Sequence, residues 1–281
     1  MPILTLVTPN KTPEFDMWIK NAYPDIAIED RVVLCDCNAV QWMIKKSLSK
    51  DILDAIRAKF RVDVIQQDEP NDIKLFMADM DATIVVGETL DDMASRAGVG
   101  GKISIITERA MRGELDFETA LIERVGLLNE ISADIIDETL HEMELNPGAN
   151  VLLSHLKSRG VYCVLISGGF TQFTSKIAER LGFDAHFGNE LIIQNGVLSG
   201  DVTRPILDKA FKRTKMDELK ISMQLQASQI MAVGDGANDL PMLQGAGLGI
   251  GYYPKPLLKT TLVNTIEYTD LSTLRYMTDG L

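Results

Sequence analysis

Short, mostly apolar runs punctuate the chain, and three of them end in compact polar clusters. Residues 73–78 lead into Asp79-Met80-Asp81-Ala82-Thr83, residues 161–166 into Ser167-Gly168-Gly169, and residues 230–233 into Gly234-Asp235-Gly236-Ala237-Asn238-Asp239. Short runs without polar alternation predict strands buried on both faces, as in a parallel sheet. Ligands of such sheets bind beyond the carboxyl ends of the strands, so the three clusters are predicted to share one rim. Asp81 and Ser167 stand 86 positions apart, far more than a strand–helix–strand crossover needs. The stretch from 88 to 145 is rich in helix formers and charge and carries no strand pattern. It predicts a helical insertion after the first strand, placed to cover the site as a lid. A helix is also predicted over Thr171–Leu181, directly after the second cluster.

Upstream, Ile3–Val7 and residues 32–35 and 62–65 read as strands. Residues 14–23 and Lys50–Phe60 read as helices; in the second, Ile52, Ala55, Ile56 and Phe60 recur at helical spacing. Residues 66–72 are polar and contain Pro70, which marks a break. The expected organisation is a small α+β domain over 1–70, of ferredoxin-like type, followed by an α/β domain over 71–281 with its helical insertion.

The length, 281 residues with 46% hydrophobic, is enough for a large domain and a small one. The net charge of −12 argues against a nucleic-acid binder, because phosphate backbones are held through a surplus of Lys and Arg. Cys35, Cys37 and Cys163 form no CxxC pair and are too few for a disulfide framework. They are read as reduced thiols of a cytoplasmic protein. The segment Met1-Pro2-Ile3-Leu4-Thr5-Leu6-Val7 lacks the charge and length of a signal peptide, and no stretch is long enough to span a membrane.

The clusters carry the chemistry. Asp79 and Asp81 are two adjacent carboxylates that repel one another unless a cation neutralises them or one keeps a proton. In either state one can act as nucleophile while its neighbour moves a proton. Taken alone, such a pair also fits a solvated turn. Ser167-Gly168-Gly169 before a helix offers a hydroxyl and free N–H groups to an anion. The third cluster is the most specific: Asp235, Asn238 and Asp239 in a glycine turn are hard oxygen donors suited to Mg²⁺. It does not match a dinucleotide fingerprint, because Asp239 stands where the last small residue would be. A phosphoryl-transfer site also needs a fixed cation; spacing alone leaves Lys209, Lys212, Arg213 and Lys215 as equal candidates.

From about Ile73 onward the chain resembles the phosphoserine phosphatases of the haloacid dehalogenase (HAD) superfamily. DMDATIVVGETLDDMA, RGELDFETALIERV, VLISGGF, GDGANDLPM and the closing KP…DL occur in order at the family's spacing. The resemblance implies a Rossmann-like parallel core with an inserted helical cap, and Mg²⁺-dependent hydrolysis of O-phospho-L-serine, the last step of serine biosynthesis. It implies Asp79 as nucleophile, Asp81 as general acid and then base, and Lys212 as the fixed cation. Mg²⁺ would be held by Asp79, Asp235 and the Asp81 carbonyl, supported by Asp239. Ser167, Gly168 and Asn238 would meet the phosphate, Glu88 the substrate ammonium and Arg124 its carboxylate, with Met111 and Phe117 closing over them. Helical spacing agrees in part, since Phe117 and Arg124 are seven apart and share a face. Ala82 departs from the serine of most relatives. The N-terminal module shows little specific resemblance; in bacterial relatives an amino-acid-binding (ACT-type) module stands there, and regulation or homodimerisation is expected of it. Two other readings stand beside hydrolysis: phosphate transfer to another alcohol or a broad small-phosphoester phosphatase, and an amino-acid-binding regulatory protein with an inactive phosphatase domain.

Overall fold

The computed structural model of the chain describes residues 1–8, 28–34, 39–69 and 72–278. The helix expected over 14–23, and the thiols of Cys35 and Cys37, lie outside them. Strands β1 (Ile3–Val7), β2 (Ile28–Leu34), β3 (Ala39–Ile44) and β4 (Asp63–Gln67), with helix α1 (Lys50–Phe60) before β4, form an antiparallel array in the order β4-β1-β3-β2. Leu4, Leu6, Trp42 and Ile44 bury one face of the array against Leu53 and Ile56 of α1. The buried stripe of α1 is Leu53, Ile56 and Arg57, whereas Ala55, expected on it, is exposed.

After β5 (Leu75–Ala78) the chain makes a tight turn over Met80–Ile84. It then forms α2 (Thr89–Arg96), α3 (Gly100–Met111), α4 (Phe117–Gly126) and α5 (Asp134–Glu142), the helical insertion. The core resumes with α6 (Ala149–Ser158), β6 (Tyr162–Phe170), α7 (Thr171–Leu181) and β7 (Ala185–Asn189). A hairpin of β8 (Leu191–Gln194) and β9 (Val197–Val202) follows, then α8 (Lys209–Ser222), β10 (Ile230–Gly234) and α9 (Leu240–Gly245). The last elements are β11 (Leu248–Tyr252), α10 (Pro256–Thr261), β12 (Asn264–Ile266) and a 3₁₀ segment, Leu271–Met277.

Six strands, β12-β11-β10-β5-β6-β7, run parallel, and Thr265 of β12 pairs with Val64 of β4 to join both arrays into one ten-stranded sheet. Burial on both faces explains the unbroken apolar runs. Phe76, Ala78, Cys163, Leu165, Met231 and Val233 pack with Leu152 of α6 and Phe173 of α7. The alternate residues Leu75, Met77, Val164, Ile166, Ile230 and Ala232 pack with Met216 of α8 and Met242 of α9. Because β5 lies between β10 and β6, the three polar clusters do meet at one rim. Strand β6 runs farther than expected, through Ser167-Gly168-Gly169 to Phe170, with a register shift against β7 after Ile166.

The seam between the arrays is polar and specific. Asn264 exchanges hydrogen bonds with the Gln66 main chain (2.8 and 3.0 Å). Buried Asp63 accepts from the N–H of Glu267 (2.7 Å), Tyr268 (3.2 Å) and Thr269 (2.8 Å) and from the Thr269 hydroxyl (2.6 Å). Arg57 donates to the carbonyls of Val64 (2.5 Å) and Val263 (2.7 Å). No helix among the described residues is long and apolar enough to cross a membrane.

Candidate active site

Asp79 ends β5 and is buried, 3% exposed. Its Oδ1 accepts from the Met80 N–H (2.8 Å) and pairs with Lys212 Nζ at 2.7 Å. Lys212 reaches it because Asp208 caps α8, accepting from the N–H groups of Ala210 and Phe211 (2.9 and 3.1 Å), which sets Lys212 in the first turn facing inward. Of the four cations that spacing left equal, only Lys212 is buried. Its ammonium also meets Asp239 Oδ1 at 2.6 Å. Asp239 accepts at Oδ2 from the Gly236 N–H (3.1 Å) and at Oδ1 from the Asn238 amide (3.2 Å). Gly234 makes this approach possible: a Cβ there would lie 2.5 Å from the Asp239 carboxylate carbon. Oxygens of Asp79, Asp235 and Asp239 lie within 4.8 Å of one another. Three buried carboxylates so close fit a hard divalent cation, which prefers oxygen donors.

The neighbouring rim carries Asp81. Its Oδ1 accepts from the Thr89 N–H, at the start of α2, and its Oδ2 from the Ser167 hydroxyl, both at 2.8 Å. The left-handed Ala82 (φ 52°), whose N–H donates to the Gly87 carbonyl at 2.8 Å, folds the chain back so that the insertion begins beside the site. Gly169 N–H donates to Ser167 Oγ (2.8 Å). From α4 the Phe117 ring lies over Gly168, 3.2 Å from where a Cβ would be. Arg124, on the same helix, spends Nε on the Ala120 carbonyl (3.1 Å) and pairs with no carboxylate among the described residues. Burial opposes its charge, and the carboxylates of Asp91 and Glu88 act on it from farther off than hydrogen-bond distance. Glu88 in turn meets Lys255 Nζ at 3.1 Å, and the same ammonium meets Asp235 Oδ2 at 3.0 Å. Asp79, Asp81, Glu88, Phe117, Arg124, Ser167, Gly168, Lys212, Asp235, Asn238 and Asp239 thus belong to one connected neighbourhood. The side chain of Met111 lies outside the described set.

Electrostatics follow from burial. Desolvation, then the adjacent Asp239, push Asp79 well above the usual carboxylate range, against the pull of Lys212. Burial works to lower Lys212, but the carboxylates of Asp239 and Asp79 outweigh it and keep it protonated. Burial also raises Asp235 and Glu88, with Asp81 adding to the effect on Glu88 and Lys255 opposing it on both. A site that penalises its own negative charge in this way favours a cation or a proton.

The chain belongs to the haloacid dehalogenase-like hydrolases, whose family model matches residues 73–247, and within them to the phosphoserine phosphatase branch. It is 39% identical over 207 residues to the phosphoserine phosphatase of Lactococcus lactis, across 74% of this chain and 96% of that protein. It is 40% identical over 198 residues to that of Archaeoglobus fulgidus, but there the match spans only 58% of the relative's length. The crystal structure of a HAD-family hydrolase from Salmonella enterica is similar over 99% of this chain (TM-score 0.91, 26% identity, 98% of that chain), N-terminal array included. A substrate-bound phosphoserine phosphatase is similar over 72% of this chain and 96% of its own (TM-score 0.67, 36% identity).

Three residues enter the site unannounced. Lys255 stood in the sequence only as part of the closing KP pattern. The Thr89 N–H becomes visible as a donor once α2 is placed. Buried Asn189, at the end of β7, donates to the Gly168 carbonyl (2.8 Å) and to the Leu207 carbonyl (3.3 Å) and accepts from the Leu207 N–H (2.7 Å). It ties the anion loop to the lead-in of α8, and nothing in its local sequence marks it.

Proposed function

We propose that this chain hydrolyses O-phospho-L-serine to L-serine and phosphate, with Mg²⁺ as its cation, in the cytoplasm and at the end of serine biosynthesis. The observation that carries the reading is the buried carboxylate of Asp79 at the end of the central strand, 2.7 Å from Lys212 and within 4.8 Å of two further carboxylates. Relatives 39% and 37% identical to it carry the same activity in their names.

Asp79 attacks phosphorus and forms an aspartyl-phosphate while the P–O bond to serine breaks. Asp81 gives its proton to the departing serine oxygen. Asp81 then takes a proton from water, which attacks the acyl phosphate, releases phosphate and restores the Asp79 carboxylate. Lys212 and the Ser167–Gly168 loop spread the charge on the equatorial oxygens, and Asn238 stands near them. Asp79, Asp235 and the Asp81 carbonyl would hold Mg²⁺, with Asp239 behind them; when bound, the ion supplies charge neutralisation at the transferring phosphoryl group. The cap reads the rest of the substrate: Glu88 its ammonium and Arg124, half-buried and without a carboxylate partner among the described residues, its carboxylate. Phe117 and Met111 close over it. Residues 1–70 supply an ACT-type array that continues the core sheet through β4 and β12 and pairs two copies of the chain, which light scattering tests.

Asp79→Asn should abolish both turnover and capture of labelled phosphate on the protein; wild-type turnover by that variant would overturn the mechanism. Arg124→Ala should lose phosphoserine hydrolysis by about 10²-fold yet keep hydrolysis of an aryl phosphate. Equal losses on both would remove Arg124 as the carboxylate reader.

A further inference from the structure

Lys255 is placed with more care than a surface lysine needs. Its own N–H donates to the Asp235 carbonyl at 2.8 Å. It caps α10 ahead of Pro256, and the left-handed Tyr253 (φ 39°) turns the chain toward it. Tyr253 is itself fastened by its N–H to the Ile266 carbonyl (2.8 Å) and by its hydroxyl to the Thr269 carbonyl (3.1 Å). From this anchored Cα the ammonium meets Glu88 at 3.1 Å and Asp235 at 3.0 Å, while the side chain stays 55% exposed and free to withdraw into solvent.

An ammonium on Glu88 is the chemical group that phosphoserine and serine would themselves bring. We propose that Lys255 is an internal competitor for the ammonium subsite: an ammonium that occupies Glu88 when no amino acid is bound and yields it to a ligand carrying its own, so that it tempers the hold of the site on amino acids. The inference rests on the phosphoserine reading of the site. Without Lys255, departure of serine would leave Glu88 bare beside Asp81, the like charge that acts on it most. With it, Lys255 returns to Glu88 as serine leaves, so release of product uncovers no unpaired carboxylate. The cost is competition. Every ligand with an ammonium must displace Lys255 from Glu88, whereas a phosphoester without one need not.

The sign of the test follows. Lys255→Met or Lys255→Gln should bind L-serine about two- to fivefold more tightly by calorimetry, the range of a partly exposed ion pair. The kcat/KM ratio for phosphoserine over 3-(phosphonooxy)propanoate, its amine-free analogue, should rise by a similar factor. Lys255→Arg should stay near wild type, and Lys255→Met in a Glu88→Gln background should leave serine binding unchanged. A neutral variant that folds and shows unchanged or weaker serine binding overturns the role of Lys255. A wild-type protein that neither binds serine nor prefers phosphoserine to the analogue overturns the substrate reading itself, before any variant is compared.

Discussion

Lys212 bridges two buried carboxylates, and its removal takes the ammonium from both. Lys212→Met should therefore cost about 3–5 kcal/mol in stability and about 10²–10³-fold in kcat; urea unfolding and steady-state kinetics check the two separately. That Lys212 and not Lys209, Arg213 or Lys215 does this was not decidable from spacing. The cap at Asp208 decides which side of the helix turns inward, and Arg213 and Lys215 find surface partners in Asp217 and Glu218. Cys163 shows the opposite behaviour. It is fully buried, and burial, with Asp184 nearby, pushes its thiol up to about 12. It should resist alkylation at pH 8 in the folded protein, as peptide mass spectrometry would show. Linkage gives a second readout. The folded pKa lies above the unfolded one, so the contribution to stability is complete below about pH 9 and is lost as pH rises toward 12. Between pH 8 and 10 wild type should lose about 1–2 kcal/mol more than Cys163→Val.

At the scale of elements, the strands that carry the chemistry were the easiest to read. β5, β6 and β10 are buried on both faces and so are apolar without alternation, and their polar ends are turns by composition. β3 escaped notice because it buries Gln41, whose amide donates to Thr5 Oγ1 (3.2 Å) and to the Tyr276 carbonyl (2.8 Å); a polar residue satisfied by a distant segment breaks the local pattern. The β8–β9 hairpin escaped too, although Asn195-Gly196, both at positive φ (52° and 82°), marks its turn. This hairpin props the insertion from beneath: Glu130 N–H donates to the Leu198 carbonyl (2.9 Å) and Leu198 N–H to that of Ile131 (2.8 Å). Asn189 couples elements in the same way, with β6 on one side and the start of α8 on the other. Asn189→Leu fills similar volume but strands the Leu207 N–H and the Gly168 carbonyl. It should destabilise by about 1–3 kcal/mol and lower kcat more than it raises KM, because Ser167–Gly168 and Lys212 would drift apart. Loss of stability with unchanged kcat would confine Asn189 to a structural part.

Across the whole molecule, the break in composition after Gln67 corresponds to a change in strand direction, not to a gap in the sheet. Val7, Ala39 and Ile65 from the N-terminal array pack in the same core as Phe76 and Ile266, and Gln67 Nε2 donates to the Met277 carbonyl (3.3 Å). Sequence pattern reported the change of composition but had no means to report a seam made by pairs some two hundred positions apart. Asp63 is the centre of that seam, and it lies one step from the site: it orders Thr269, whose carbonyl holds the Tyr253 hydroxyl, and Tyr253 sets the turn into Lys255. Asp63→Ala leaves three N–H groups and a hydroxyl without their acceptor, at a cost of about 2–4 kcal/mol once water reaches some of them. The same loss should loosen residues 253–255 and leave Lys212 in place, since α8 packs on the opposite face. Hydrogen exchange followed by mass spectrometry distinguishes these regions: protection should fall in the peptide spanning Tyr253–Lys255 and stay unchanged around Lys212. A uniform fall in both would mean that Asp63 supports only global stability, and the N-terminal array would then have no path of its own to the rim.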